Sequence, residues 1–435
     1  MSREAVRPVA LFALMFAMLA GVGVFQSWSL ALTILNLCLI SAIMALGLNM
    51  QWGYAGLFNV GVMGFAALGG VAGVIVSMPP VGAAWSAGGL GILAAGVIAV
   101  ATIVVAVWIV RRRLTYGGWL AAAVVVAGFF ATRAVFDPAV TAIEAVEPAR
   151  TGYLGGLGLP IILSWAAGGV LAASAAWIVG KVALGLRSDY LAIATLGISE
   201  IIVAILKNED WLARGVKNVV GLPRPVPYEV ELQSADWFAR QAAGLGVSTI
   251  ELSSIVVKLC YAGLFAVVLL ALLWLSERAL RSPWGRMMRA IRDNETAAEA
   301  MGKDVKARHL QVFILGSAVI GIAGAMLTTL DGQFTPDTYQ PLRFTFIIWV
   351  MVIVGGSGNN WGAVLGGFLI WFAWVEAEPV GLWLIDVLTS GLGEGSPLRD
   401  HLLANAAHMR LVTMGLVLLL VLRFAPRGLI PERER

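Results

Sequence analysis

Charged residues are scarce in this sequence. Only 13% of its 435 residues are Asp, Glu, Lys or Arg, whereas 59% are hydrophobic. A soluble domain carries about a quarter charged residues, so this composition excludes an ordinary soluble protein and indicates an integral membrane protein. The 30 basic residues outnumber the 26 acidic ones. In a membrane protein such an excess marks the cytoplasmic side, so no nucleic-acid partner is expected.

Residues that build cofactor, metal and catalytic sites are also few. The two cysteines, Cys38 and Cys260, each lie in an apolar run, and the three histidines form no HxxxH spacing. Neither a disulfide framework nor a metal site is therefore expected. The sequence contains no GxxxxGKS or GxxxxGKT motif, and no constellation of paired carboxylates, histidines or nucleophiles. We predict that the chain is not an enzyme and binds no nucleotide or other cofactor itself.

Long hydrophobic runs make up most of the chain. The first run follows Arg3 and Arg7, and we interpret it as a retained helix because no small-residue cleavage site precedes polar sequence. A membrane-spanning helix needs roughly 20 apolar residues, and the tenth run is too short for a full span. The prediction is an all-α, polytopic membrane bundle of about 10–12 spans in a single domain, 1–435. The candidate spans are 9–25, 30–49, 56–77, 87–110, 117–136, 160–180, 188–206, 253–275, 309–330, 344–356, 361–378 and 409–424.

The distribution of basic residues predicts the orientation of these spans. If both termini lie in the cytoplasm and the spans alternate, the cytoplasmic pieces hold 19 Lys and Arg against 9 Asp and Glu. Basic residues concentrate in the cytoplasmic loops of membrane proteins, so this count favours cytoplasmic N- and C-termini. Three longer stretches, about 137–159, 207–252 and 379–408, then lie outside the cell as connectors or as surfaces for an external partner.

A charged segment at 276–308 interrupts the apolar runs. From Trp284 to Ala300 it is rich in helix formers, with Ser282-Pro283 where a helix would start and Gly302 where it would stop. This pattern predicts one short amphipathic helix outside the bilayer, on the cytoplasmic face. A solvated loop, or a helix resting on anionic lipid, remains an alternative.

Six motifs follow one another along the chain. They are ALGLNMQWGYAGLFNVGVMGF at 45–65, RSDYLAIATLGISEII at 187–202, GLPRP at 221–225, GRMMRAIRDNETAAEAMG at 285–302, VIVGGSGNNWGAVLGG at 352–367 and FAPRGLIP at 424–431. The stretch at 285–302 resembles the cytoplasmic EAA loop of ABC-importer permeases. In this order, the six motifs resemble the branched-chain amino acid permease family, in its LivM-type form.

The resemblance implies a permease subunit of an ABC importer for branched-chain amino acids in a bacterial inner membrane. Its implied partners are two ATPase subunits that use ATP, a second, LivH-like permease subunit, a periplasmic solute-binding protein and membrane lipid. The loop at 276–308 would couple solute passage to ATP hydrolysis. Permeases for urea or short amides, and a self-contained secondary transporter or channel, are the alternatives. The residues carried over to the coupling role are Gly285, Arg286, Arg289, Arg292, Asp293, Asn294, Glu295, Ala298 and Gly302.

The sequence departs from the family pattern at several places, including mild changes at Asp293, where the family has Glu, and Lys303, where it has Ile. Val62 stands where the family has a histidine, and ARGVKNVVG at 213–221 replaces an outer TGGPNG stretch. Both changes leave the solute open. Residues 81–150 resemble an insertion that brings two extra hydrophobic spans, and residues 379–408 also look extended relative to the family.

Polar residues and glycines inside spans are candidates for a translocation path, because a solute needs polar groups there. Glu200 lies in the apolar run IATLGISEIIVAIL with no compensating charge nearby in the sequence. It could meet a solute ammonium group, pair with a basic residue on another helix, be protonated, or form a structural hydrogen bond between helices. The glycines could equally serve close helix packing. The candidates are Asn49, Tyr54, Asn59, Gly61, Tyr190, Thr195, Glu200, Gly355 and Gly356.

Overall fold

The computed structural model describes residues 3–112, 116–390 and 396–432 of the chain. Most of these residues are helical. Single turns of 3₁₀- or π-helix occur at Trp85–Gly89, Gly215–Lys217, Pro336–Thr338 and Ala406–His408. The α-helices are, in chain order, α1 (Arg3–Phe25), α2 (Trp28–Ala55), α3 (Val62–Ser77), α4 (Gly82–Ala84), α5 (Leu90–Arg111), α6 (Gly117–Glu144), α7 (Ile162–Ala183), α8 (Ser188–Asn208), α9 (Asp210–Ala213), α10 (Glu229–Ser234), α11 (Asp236–Leu245), α12 (Thr249–Arg281), α13 (Pro283–Asp293), α14 (Glu295–Ala300), α15 (Val305–Asp331), α16 (Pro341–Gly355), α17 (Asn360–Thr389), α18 (Pro397–Ala404) and α19 (Met409–Phe424).

All twelve apolar runs form helices. Ten helical segments in the described part of the chain are long and apolar enough to cross a membrane, and α3 and α16 are shorter apolar helices. The predicted polytopic helical bundle is confirmed. The third predicted span began at residue 56, which is wrong, because α3 starts only at Val62. Gly56 adopts a left-handed φ of 71° that ends α2, and a non-helical turn follows it.

Helix α15 lies at the centre of the bundle, where its backbone touches those of α3 and α7. A Cβ on Gly69 of α3 would lie 1.9 Å from the carbonyl oxygen of Gly321, and one on Gly324 would lie 1.9 Å from that of Ala66. Gly168 of α7 completes this crossing, with its Cβ position 3.1 Å from the same Gly321 oxygen. Small residues let membrane helices approach this closely, so dispersion contacts hold the crossing together.

Helix α2 forms a second layer, packed against α12, α15 and α17. Gly47 meets the backbone of Gly316 on α15, and Gly367 of α17 meets Ala42. On the side where α8 and α15 end, two short strands, β1 (Val219–Val220) and β2 (Gln333–Phe334), pair antiparallel. Helices also occupy parts of the three predicted outer stretches. Helix α6 continues to Glu144, α9, α10 and α11 lie within 207–252, and α17 continues to Thr389.

Helices α5 and α6, within the predicted insertion, form a hairpin beside the bundle. In the most apolar parts of these two segments, only 17% and 0% of the residues are buried, whereas 61% are buried in the corresponding part of α15. The hairpin touches the rest of the chain near Ile143, which packs with Leu154 and Trp211. Backbone atoms of Val81 and Leu154 hydrogen-bond at 3.0 Å, so the two ends of this region meet.

The charged segment folds as two helices and not as the single helix predicted over 284–300. Helix α13 begins at Pro283, with Ser282 as its N-cap, and ends at Asp293. Asn294 is extended, and its side-chain oxygen accepts a 2.9 Å hydrogen bond from the backbone N–H of Ala297, which starts α14. Asparagine is among the best N-caps, so it interrupts the run of helix formers.

Candidate coupling site and translocation path

Helix α13 is seated on the membrane bundle. A Cβ on Gly285 would lie 2.3 Å from the carbonyl oxygen of Leu280, so a glycine is needed where α13 turns back against α12. Met288 and Ile291 are buried, and α13 packs on α2 and α12. The apolar side chains of this charged segment therefore divide into two groups. Met288 and Ile291 pack against other parts of this chain, whereas Ala290, Ala297 and Met301 remain exposed. Of the other predicted coupling residues, Arg286 and Glu295 are exposed, Ala298 is buried, and Gly302 follows α14 with a φ of 75°.

Arg292 connects α13 to two distant parts of the chain. Its guanidinium donates a hydrogen bond to the carbonyl oxygen of Gly53, near the end of α2. It also forms a 2.9 Å ion pair with Glu432, in the segment after α19. Burial acts to lower the pKa of Arg292, but the hydrogen bond and charge of Glu432, together with Asp293, outweigh burial and raise the pKa. Movement of α13 would therefore be transmitted directly to α2.

A cavity of about 780 Å³ lies between α13, the turn at Ser357 and the segment 426–432. Five arginines and two carboxylates, Asp293 and Glu432, line this cavity, so its lining carries three more positive than negative charges. Such a concentration of charge attracts an acidic surface and disfavours a basic one. The arginines that line the cavity are Arg281, Arg286, Arg289, Arg292 and Arg427.

Asn49 is fully buried and its side chain bonds within the chain. Its Nδ2 donates to Oδ1 of Asn360 at 3.2 Å, and its Oδ1 accepts from the backbone N–H of Gly358 at 2.9 Å. Asn360 in turn donates to Oε1 of Glu277 at 3.1 Å. This network ties α2 to the turn before α17 and to the charged end of α12. Tyr54, one helical turn further along, is also buried.

Asn59 likewise holds the turn between α2 and α3 in place. Its Nδ2 donates to Oε1 of Gln51 at 2.8 Å, and its Oδ1 accepts from the N–H of Gly61 at 2.8 Å. Trp349 donates to the carbonyl oxygen of Asn59 at 3.0 Å, and Thr195 accepts from the N–H of the next residue at 3.0 Å. Asn59 is fully buried, so a solute could reach its amide only if these contacts moved.

Gly355 and Gly356 end α16 and hold the segment after α19. The carbonyl oxygen of Gly355 accepts from the N–H of Ile430 at 2.9 Å. Gly356 has a φ of 118°, and a Cβ there would lie 2.3 Å from the carbonyl oxygen of Ile430. Close packing, one of the two interpretations open for these glycines, is what their contacts support.

Two of the path candidates lie elsewhere, on an open face of α8. Tyr190 and Glu200 are exposed, whereas Thr195 is buried on the opposite face. The structure therefore separates the path candidates into a buried hydrogen-bonded group around α2 and this pair on α8. Sequence reasoning missed Gln51, Asn360 and Glu432. Gln51 could have been found, because it is a polar residue two positions after Asn49 in an apolar run. No local sequence pattern indicates a role for Glu432.

Comparisons with known proteins identify a family of permeases. The family model described as "Branched-chain amino acid transport system / permease component" matches residues 139–422. The chain is 30% identical to the high-affinity branched-chain amino acid transport system permease protein LivM of Escherichia coli K12 over 237 residues, 53% of each chain. It is 26% identical to a probable LivM of Methanocaldococcus jannaschii, over 61% of this chain and 67% of that protein.

More distant permeases match shorter parts. A probable LivH of Methanocaldococcus jannaschii is 33% identical over 24% of this chain and 32% of its own. The xylose transport system permease protein XylH of Escherichia coli K12 is 29% identical over 37% and 40%. No solved structure matches the chain. The chain spans about half the length of the Escherichia coli LivM that it matches. Because the family model covers well over half of the sequence, the chain belongs to the branched-chain amino acid transport system permease family.

Proposed function

We propose that the chain is the LivM-type permease subunit of an ABC importer for branched-chain amino acids, in a bacterial inner membrane. It would work with two ATPase subunits that use ATP, a LivH-like second permease subunit and a periplasmic solute-binding protein. Its relatives named LivM, in a bacterium and an archaeon, support the solute class. The relative named LivH supports the pairing of two permease types.

The observation that carries the proposal is the position of α13 and α14. These charged helices connect two candidate spans, α12 and α15, and Arg292 bonds them to the end of α2. Helix α2 continues into the buried Asn49 and Gln51 networks. An ATPase subunit that moves α13 would therefore act on the backbone that joins α2, α3 and α16.

The arginine-lined cavity indicates the charge of the ATPase surface that binds here. Arg286 and Arg289 lie on α13 and contribute to the excess of positive charge that lines this cavity. The complementary ATPase surface is therefore acidic. The residue 81–150 region, whose hairpin packs mainly on itself, is an addition to the permease domain and takes no part in this coupling.

Association with ATPase subunits tests this function. The chain is co-expressed with its second permease and ATPase subunits, and the yield of ATPase on the purified permease is measured. Arg286→Gln with Arg289→Gln is expected to weaken the association about tenfold or more, as loss of charge-assisted hydrogen bonds implies. Arg278→Gln is the matched control, because Arg278 lies 5.5 Å from the centre of the Trp274 ring and does not line the cavity. Equal association of both variants would contradict the proposed docking.

The solute is tested separately on the binding protein. A branched-chain amino acid is expected to raise the unfolding temperature of the cognate solute-binding protein, because a ligand stabilises the state that it binds. If urea or a short amide did so and leucine, isoleucine and valine did not, the solute class proposed here would be wrong.

A further inference from the structure

Helix α8 has two different faces. Leu191, Thr195, Ser199 and Val203 are buried against the bundle. The opposite face is open, and its residues recur at the spacing of one helical stripe. We call this set the α8 stripe; its members are Tyr190, Ile193, Gly197, Glu200 and Ala204, all exposed.

Glu200 lies near the middle of helix α8. Helix α8 has 21 residues, so it is roughly 30 Å long, close to the thickness of the hydrocarbon core. Glu200 is about 18 Å from the first residue and about 12 Å from the last, at 1.5 Å per residue. Carboxylates at this depth avoid lipid and face water, a partner or a solute path.

No partner for this carboxylate lies within the described part of the chain. Among residues 3–112, 116–390 and 396–432, the Glu200 side chain has neither a hydrogen bond nor an ion pair. Lys207, the basic residue on the same helix, is already paired with Asp337 at 2.6 Å. A group that compensates the charge of Glu200 therefore lies outside these described residues.

The neighbours of Glu200 on the stripe leave room for a small molecule. Gly197 lies about one turn before Glu200, and a Cβ there would meet nothing within 4 Å. Ala204 lies about one turn after it and carries only a methyl group. A carboxylate between two small residues is suited to a small cation with several N–H donors. A single such contact is also weak enough for the cation to leave again, as transport requires.

We propose that the α8 stripe lines the solute path and that Glu200 accepts hydrogen bonds from the α-ammonium group of the amino acid in transit. The path would run between this chain and the second permease subunit, because the stripe faces away from the bundle of its own chain. The identity of the solute rests on the proposed function; the position of the path does not.

Thiol labelling in the assembled importer tests the position of the path. In a background with Cys38→Ser and Cys260→Ser, the variants Gly197→Cys and Glu200→Cys are treated with a membrane-impermeant, cationic methanethiosulfonate. They are expected to react at least about tenfold faster than Val100→Cys, an exposed apolar position on the hairpin helix α5. Val203→Cys serves as the buried control. Rates equal to that of Val100→Cys would show that the stripe faces lipid and would overturn the proposal.

Uptake by importer complexes in proteoliposomes tests the role of the carboxylate. Glu200→Gln keeps the shape of the side chain and removes its charge. It is expected to lower leucine uptake tenfold to a hundredfold with assembly and basal ATP hydrolysis retained, as the loss of one charge-assisted hydrogen bond implies. Glu200→Asp should restore part of the uptake.

The possible failures can be distinguished. Normal leucine uptake by Glu200→Gln would overturn the ammonium contact and leave the proposed function intact. Loss of subunit assembly in Glu200→Gln would mean that Glu200 pairs with a basic group of the second permease subunit, which also overturns the contact. A wild-type importer that carried only solutes without an amino group would refute the proposed function, while the labelling rates would still locate the path.

Discussion

The ion pair between Arg292 and Glu432 gives a prediction that can be worked through from the structure. The two side chains are 25% and 27% exposed and lie 2.9 Å apart. Exposed pairs contribute up to about 1 kcal/mol, and breaking a buried pair costs about 3–5 kcal/mol. At intermediate exposure we expect this pair to contribute about 1.5 kcal/mol. The additional hydrogen bond from Arg292 to Gly53 contributes about 1 kcal/mol.

These values predict a non-additive double-mutant cycle. Arg292→Gln should lower the free energy of unfolding by about 2.5 kcal/mol, and Glu432→Gln by about 1.5 kcal/mol. The double variant should lose only about 2.5 kcal/mol, because the pair is already broken in the first variant. Additive losses, which would total about 4 kcal/mol, would refute the direct coupling of α13 to the segment after α19.

Thermal unfolding of the purified permease measures the cycle, with the order of the apparent unfolding temperatures as the readout. The pair Arg133 and Asp137 on α6 is a matched control. It lies on one helix at 2.8 Å with side chains 59% and 48% exposed, so its removal should cost no more than about 0.5 kcal/mol. A control pair that mattered as much as Arg292 and Glu432 would count against assigning a special role to Arg292.

Three further predictions follow from other parts of the structure. Substitution of both Arg292 and Glu295 by Ala should abolish most uptake while the ATPase subunits remain bound; normal uptake would count against coupling through α13 and α14. Gly324→Ala places a Cβ where the carbonyl of Ala66 lies, so it should destabilise the bundle by about 1–3 kcal/mol. Gly244→Ala is the control, because Gly244 has open space around it and its substitution should not destabilise the bundle. Equal unfolding temperatures of the two variants would contradict the close helix crossing. Replacement of residues 82–153 by a short Gly-Ser link should preserve assembly and uptake, because Val81 and Leu154 meet at 3.0 Å; failure to assemble would give the hairpin a structural role.

The spans were predictable because hydrophobic length alone determines which segments can cross a bilayer. The start of α3 was not, because it depends on the left-handed conformation of Gly56, and an apolar run does not report backbone conformation. The break between α13 and α14 at Asn294 was not predictable either. Helix formers surround it, and the choice between continuing and capping a helix depends on where the side-chain oxygen finds an N–H donor.

The sequence indicated which polar and charged residues belong to the candidate sites, but it did not indicate which partners they bind. Asn49 and Asn59 stand out as amides in apolar runs. Only the structure shows that Asn360 and Gly358 bond the amide of Asn49 and that Gln51 and Gly61 bond the amide of Asn59. Arg292 was identified by its motif, while its partner Glu432 lies 140 residues further along the chain. Contacts over such separations depend on the packing of the whole bundle, which no local pattern encodes.

Transport energised by separate ATPase subunits is the central claim, and solute uptake into sealed proteoliposomes tests it most directly. The complete importer, supplied with the loaded binding protein on one side and ATP on the other, is predicted to concentrate leucine. Vesicles containing this chain without the ATPase subunits are predicted to concentrate none. Accumulation of leucine by the chain alone under an ion gradient would contradict the account.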